Sequence, residues 1–122
     1  MDDEEAIGDF LYCELTDIGY EVEFTGDGAA AIELYIEAKE SGYPFDAVIL
    51  DLTVHGGMGG KEAIKKLLEI DSNVKAIVSS GYATDSIMAE FQKYGFKDII
   101  VKPYKIEELE KKLHRIITGT GK

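Results

Sequence analysis

The chain has 122 residues, 45% of them hydrophobic, a single cysteine and a formal net charge of −11. That is one domain's worth of chain with enough apolar content for a core, which weighs against disorder. The acidity weighs against direct nucleic-acid or anionic-membrane partners. Cys13 alone allows no intrachain disulfide, and with no run of ~20 apolar residues and no signal-like opening the expected place is the cytoplasm.

Met1-Asp2-Asp3-Glu4-Glu5 is an acidic opening suited to the positive end of a helix dipole. Ile7, Phe10, Leu11, Leu15 and Ile18 then recur on one helix face, and Gly19 follows as a stop. Residues 20–25 alternate apolar and polar, which predicts an edge strand with one wet side. Gly26-Asp27-Gly28 is a turn, and residues 29–38 read as a second helix broken by Ser41-Gly42-Tyr43-Pro44. Residues 45–50 form an apolar run that predicts a strand buried on both faces and leading into Asp51. The glycine-rich loop after Asp51 lets backbone approach a ligand and gives way near Gly60 to a third helix carrying Ile64, Leu67 and Leu68.

Residues 74–79 predict another strand, closing in Ser80-Gly81. Thr84 or Asp85 caps a fourth helix with Ile87, Met88 and Phe91 on its apolar face, and Gly95 ends it. Ile99-Ile100-Val101 is a last short strand before Lys102-Pro103, and a fifth helix buries Ile106, Leu109, Leu113, Ile116 and Ile117. Residues 1–118 thus make one domain and 119–122 a tail or linker stub. Alternation of helices and strands with short loops predicts an α/β fold with parallel strands and right-handed crossovers.

In such a sheet the strand ends share one edge, where ligands bind. Asp51, Ser80 and Lys102 would converge there, with Asp2 and Asp3 facing the same edge from their helix start. Carboxylates with backbone carbonyls suit a hard cation such as Mg²⁺. Lys102 supplies a point charge for a phosphoryl oxygen and Ser80 a hydroxyl donor. A carboxylate so flanked is equipped to attack phosphorus and keep the product as an acyl phosphate.

Asp2-Asp3, Asp51-Leu52-Thr53, Ser80-Gly81 and Lys102-Pro103, in that order and at those spacings, resemble the receiver domain of two-component response regulators over nearly the whole chain, with a likeness to receiver modules of hybrid sensor kinases. The resemblance implies a flavodoxin-like doubly wound parallel sheet, strand order 2-1-3-4-5, with five helices. It implies that Asp51 is the phosphoacceptor, that Asp3 and Asp51 ligate Mg²⁺ with the backbone carbonyl of Thr53, and that Asp2 acts through a metal-bound water. Lys102 would pair with the phosphoryl group, Ser80 would swing towards it, and the Lys102-Pro103 peptide would be cis. The implied partners are a histidine kinase or phosphotransfer domain and an output protein or attached domain. Dimerisation stays open.

The sequence departs from the family in four places. The family's apolar first strand, which lies mid-sheet, is represented here by Met1 alone, so the natural chain continues upstream with such a strand, another segment or chain fills the gap, or the sheet is rearranged; we favour the first. The loop 53–60 is one residue longer than usual and places His55 where proline is common; we read His55 as a loop residue, not an acid–base group. Ile99 stands where an aromatic often couples to the switch hydroxyl, and it reads here as strand core. Tyr82, two residues after Ser80, is bulky where neighbours flank the attacking water.

Two other classes compete with the phosphoacceptor. A degenerate receiver would keep the fold as a phosphorylation-independent binding module, but Asp3, Asp51 and Lys102 are intact. An aspartate-nucleophile phosphatase needs a second acid two residues after the nucleophile, and that position is Thr53, so no turnover enzyme is expected. If Tyr82 shields the acyl phosphate, the wild-type protein dephosphorylates more slowly than Tyr82→Glu, and equal decay of the two in a phosphoryl-lifetime assay refutes the shielding.

Overall fold

The computed structural model describes residues 1–81 and 86–119. Tyr82 and the proposed caps Thr84 and Asp85 lie outside the described residues, as does most of the expected tail. The order is α1 (Glu5–Asp17), α2 (Gly28–Glu40), β1 (Val48–Asp51), α3 (Gly60–Ile70), β2 (Ala76–Ser80), α4 (Ser86–Ala89), α5 (Phe91–Tyr94), β3 (Asp98–Val101) and α6 (Ile106–Thr118). The three strands are parallel in the order β1-β2-β3, the arrangement expected of the last three strands of a doubly wound sheet.

Strand period two sorts the core into two layers. Leu50 and Val78 point to one face and pack with Ile64, Leu67, Met88 and Phe96. Ile77 and Ile100 point to the other and pack with Leu15, Leu109 and Leu113. Both faces are thus covered, as apolar parallel strands require. Local chemistry sets the helix ends. Asp27 caps α2 by accepting from Ala30 N, and Gly19 beyond α1 takes a left-handed φ of 103°. Among the described residues no helix is long and apolar enough to cross a membrane.

The strand expected over residues 20–25 is not there as a regular element. Strands form by pairing, and the backbone bonds of this segment are local or isolated: Tyr20 N donates to Leu15 O, and Thr25 O accepts from Asp2 N at 3.1 Å. Its packing is by side chain, with the Phe24 ring so close over α1 that a Cβ on Gly8 would lie 2.5 Å from it. Met1 stands between this segment and β1, its amino nitrogen donating to Ile49 O at 2.7 Å and its carbonyl accepting from Asp51 N at 2.9 Å.

The fourth helix is in two short pieces, since Glu90 between them leaves helical geometry at φ −117°, ψ 34°; the described helices therefore number six where five were expected. Strand β2 runs to Ser80, so Ser80 is its last residue and not the first beyond it.

Leu50 is fully buried in the centre of β1. Leu50→Ala should cost about 3 kcal/mol of stability, read as a lowered urea midpoint with an unchanged slope.

Candidate functional site

Backbone register brings the carboxyl edge together. Asp51 is the partner of Ser79 and Ser80 of Val101. Leu52 N donates to Ser79 O at 2.8 Å and Lys102 N to Ser80 O at 2.9 Å, so both loops leave the sheet from pinned positions. The Lys102-Pro103 peptide is cis. Glycines close the floor. A Cβ on Gly59 would lie 2.5 Å from Leu52 O and one on Gly60 2.9 Å from Asp51 O, so the start of α3 packs directly on the chain leaving Asp51. Those two glycines serve this close approach of backbone to backbone.

Asp2 and Asp51 are almost fully buried, 2% and 3% exposed, and Lys102 lies between them. Its Nζ is 2.8 Å from Asp2 Oδ2, 3.3 Å from Asp51 Oδ1 and 3.7 Å from the exposed Glu4 Oε1. Asp2 Oδ1 accepts from Glu4 N at 2.9 Å, which fixes the turn into α1. Asp2 Oδ2 is buried and has no partner beyond this ion pair with Lys102.

Burial disfavours charge on Asp51 and the neighbouring Asp2 carboxylate adds to this. Lys102 opposes both, and the carboxyl group ends above the ordinary range. Burial works against the Lys102 charge as well, but close contact with Asp2 and the charges of Asp51 and Asp2 outweigh it and hold the ammonium more firmly than usual. Asp3 is pulled the other way. The His55 backbone N–H donates to its Oδ2 at 2.9 Å and lowers its pKa, and the His55 ring Nδ1 is 3.0 Å from the same oxygen. An ionised Asp3 only accepts, so in this contact Nδ1 carries the proton.

Asp2, Asp3 and Asp51 can each offer an oxygen within 4.8 Å of the others. Three carboxylates gather at this edge, and the buried Asp2 Oδ2 has no partner beyond its ion pair with Lys102. This donor set fits a hard, oxygen-seeking divalent cation.

The structure therefore gathers Asp2, Asp3, Asp51 and Lys102, and places buried Ser80 on the same edge. Thr53 is exposed in the loop leaving Asp51, and Ile99 is partly buried against the first core cluster. Sequence reasoning missed the reach of Glu4, the grip of His55 on Asp3, and a bond between the hydroxyls of Ser79 and Tyr104. Only the last left a signal, a serine inside an apolar strand, which needs a partner once buried.

A parallel α/β sheet with acids and a lysine at its carboxyl edge defines the class: a doubly wound domain with an acidic, cation-suited pocket. The chain belongs to the response regulator receiver domain family, whose model matches residues 1–114. It is 36% identical over 118 residues to chemotaxis protein CheY of Thermotoga maritima, covering 95% of this chain and 92% of that one. It is 31% identical over 117 residues to response regulator ArlR of Staphylococcus aureus, covering 96% of this chain but 50% of ArlR, so it spans half of that protein. In a solved CheX–CheY–BeF₃–Mg²⁺ complex from Borrelia burgdorferi, the matched chain is 25% identical with a TM-score of 0.79, over 94% of this chain and 84% of that one.

The raised Asp51 pKa carries a stability consequence with a definite sign. Folding favours its protonated form, so the stability linked to it is present at low pH and is lost as pH rises through the folded pKa. In chelator-treated buffer Asp51→Asn should raise the Tm at pH 7, and the gain should shrink towards zero as pH falls to the ordinary carboxylate range.

Proposed function

We propose that this domain takes a phosphoryl group from a histidine kinase or phosphotransfer domain onto Asp51, in a Mg²⁺-dependent reaction, and thereby changes its affinity for a partner. The observation that carries this is Lys102 Nζ, 3.3 Å from Asp51 Oδ1 and 2.8 Å from Asp2 Oδ2, beside a triad of carboxylates.

An Asp51 carboxylate oxygen attacks the phosphorus of a donor phosphohistidine. The P–N bond breaks, its electron pair stays on the donor imidazole, and an acyl phosphate remains on Asp51. Lys102, held charged by its acidic neighbours, pairs with the phosphoryl oxygens and is the group best placed to stabilise charge there. Asp3, Asp51 and the Thr53 carbonyl would hold Mg²⁺, with Asp2 through a water; the ion, when bound, supplies further neutralisation of phosphoryl charge. A relative's complex, a Borrelia CheY solved with CheX, BeF₃ and Mg²⁺, supports by analogy that the domain takes this ion.

Ser80 and the chain beyond it respond to the new anion, and the surface of α4 and α5, β3 and α6 passes the change on by packing shifts, since Ile99 offers no aromatic to swing. Output goes through a separate protein or through an attached domain; this chain spans half of ArlR, and a Borrelia CheY is solved in complex with CheX. Thr53 in place of a second acid leaves only slow self-hydrolysis, not turnover.

Incubation with acetyl phosphate and Mg²⁺ followed by intact-mass measurement tests this. One phosphoryl group should be added, none with Asp51→Asn or with EDTA, and Lys102→Ala should slow the addition about 100-fold. No addition to the wild-type protein favours the phosphorylation-independent binding module, and multiple turnovers favour a phosphatase.

A further inference from the structure

Strand β2 holds the loop that carries Lys102 at two successive residues. At Ser80 the hold is backbone: Lys102 N donates to Ser80 O at 2.9 Å. At Ser79 it is side chain: Ser79 Oγ is hydrogen-bonded to the hydroxyl of Tyr104, two residues past Lys102. Ser79 is fully buried and is the register partner of Asp51 on one side and of Ile100 on the other. Register partners in parallel strands project to the same face about 4.8 Å apart, so the Ser79 hydroxyl stands beside the Asp51 side chain. The Tyr104 ring packs against the cluster of Leu15, Ile77, Ile100, Leu109 and Leu113, a setting that suits a plain aromatic equally well. The hydroxyl is the part that packing leaves unexplained.

We propose that Tyr104 is a positioning residue, whose hydroxyl, bonded to Ser79 beside Asp51, fixes the loop that delivers Lys102 between Asp51 and Asp2. The reach is short, since two residues span at most about 7 Å, so anchoring Tyr104 restricts where Lys102 can stand. Burial pushes the Tyr104 phenol up to about 12, so it stays protonated at neutral pH and one hydroxyl always has a proton to give the other. Small losses of alignment are costly in phosphoryl transfer, where positioning supplies much of the rate.

The effect on rate rests on Asp51 being the phosphoacceptor; the effect on Lys102 itself does not. The test therefore compares wild type, Tyr104→Phe, Ser79→Ala and the double variant in three measurements. These are Lys102 acetylation by acetic anhydride followed by mass spectrometry, Tm, and the rate of phosphorylation by acetyl phosphate with Mg²⁺.

Tyr104→Phe leaves a buried serine hydroxyl unpaired and should lower Tm by about 4 °C, while the double variant, with both hydroxyls gone, should regain most of it. Lys102 should acetylate faster in both, and phosphorylation should be about tenfold slower in both. Recovery of stability without recovery of Lys102 protection or rate is the signature of positioning. If the double variant returns to wild-type protection and rate together with its Tm, the pair only fills the core and the proposal is overturned. If wild type accepts no phosphoryl group, the reading of Asp51 fails, and Lys102 acetylation alone then decides for or against Tyr104.

Discussion

Everything at the functional edge depends on one partly buried ammonium shared by two buried carboxylates. Lys102 sits 2.8 Å from Asp2 and 3.3 Å from Asp51, and both acids are almost completely removed from water. At an effective dielectric of about 20, each such contact is worth about 5 kcal/mol of attraction, and desolvation costs several kcal/mol per ion. The cluster is therefore poor evidence of stabilisation. Asp51 in particular emerges with its charged form disfavoured, despite the lysine beside it. Three acids crowd this edge, and the Lys102 ion pair is what compensates the burial of Asp2 Oδ2. A site left in that condition suits a hard divalent cation.

The fold tolerates this because the surroundings are over-determined. Backbone bonds from Leu52 to Ser79 and from Lys102 to Ser80 stitch the strand ends across the sheet. Gly59 and Gly60 let α3 start against the carbonyls of Leu52 and Asp51, where any side chain would collide. Two apolar layers clamp the sheet from both faces. The Asp2 side is held more lightly, by Met1 bonded to Ile49 and Asp51 and by the turn into α1. Asp3 is tied to the loop after β1 through His55, so the loop residue that looked ordinary touches one of the candidate metal ligands.

These constraints also explain how signalling and structure share residues. Ser79 and Ser80 are adjacent in β2 and point to opposite faces, as strand geometry requires. Ser80 ends β2 and accepts from Lys102 N through its carbonyl, and Ser79 reaches Tyr104 on the same loop through its hydroxyl. One short strand thereby holds the loop that carries Lys102 at two points.

Much of this was legible without coordinates. The apolar run ahead of Asp51, the helix faces behind Ile64 and Leu109, and the hydroxyl and ammonium at the ends of β2 and β3 are local patterns, and parallel topology alone puts strand ends on one edge. Residues 20–25 show where such reasoning fails. Their alternation is that of a strand, but a strand also needs a neighbour's backbone, and only Thr25 finds one across the gap, at Asp2. The break in the helix at Glu90 was likewise not visible in an apolar pattern that runs through it. Which residue types stand at the carboxyl edge is set by local pattern, because side-chain period and strand ends are encoded within a few neighbouring positions. That Asp2 pairs directly with Lys102, that His55 grips Asp3, and that Tyr104 meets Ser79 emerged from the folded chain alone. Those contacts join positions 25 to 100 residues apart, and register and packing, not local propensity, set their distances.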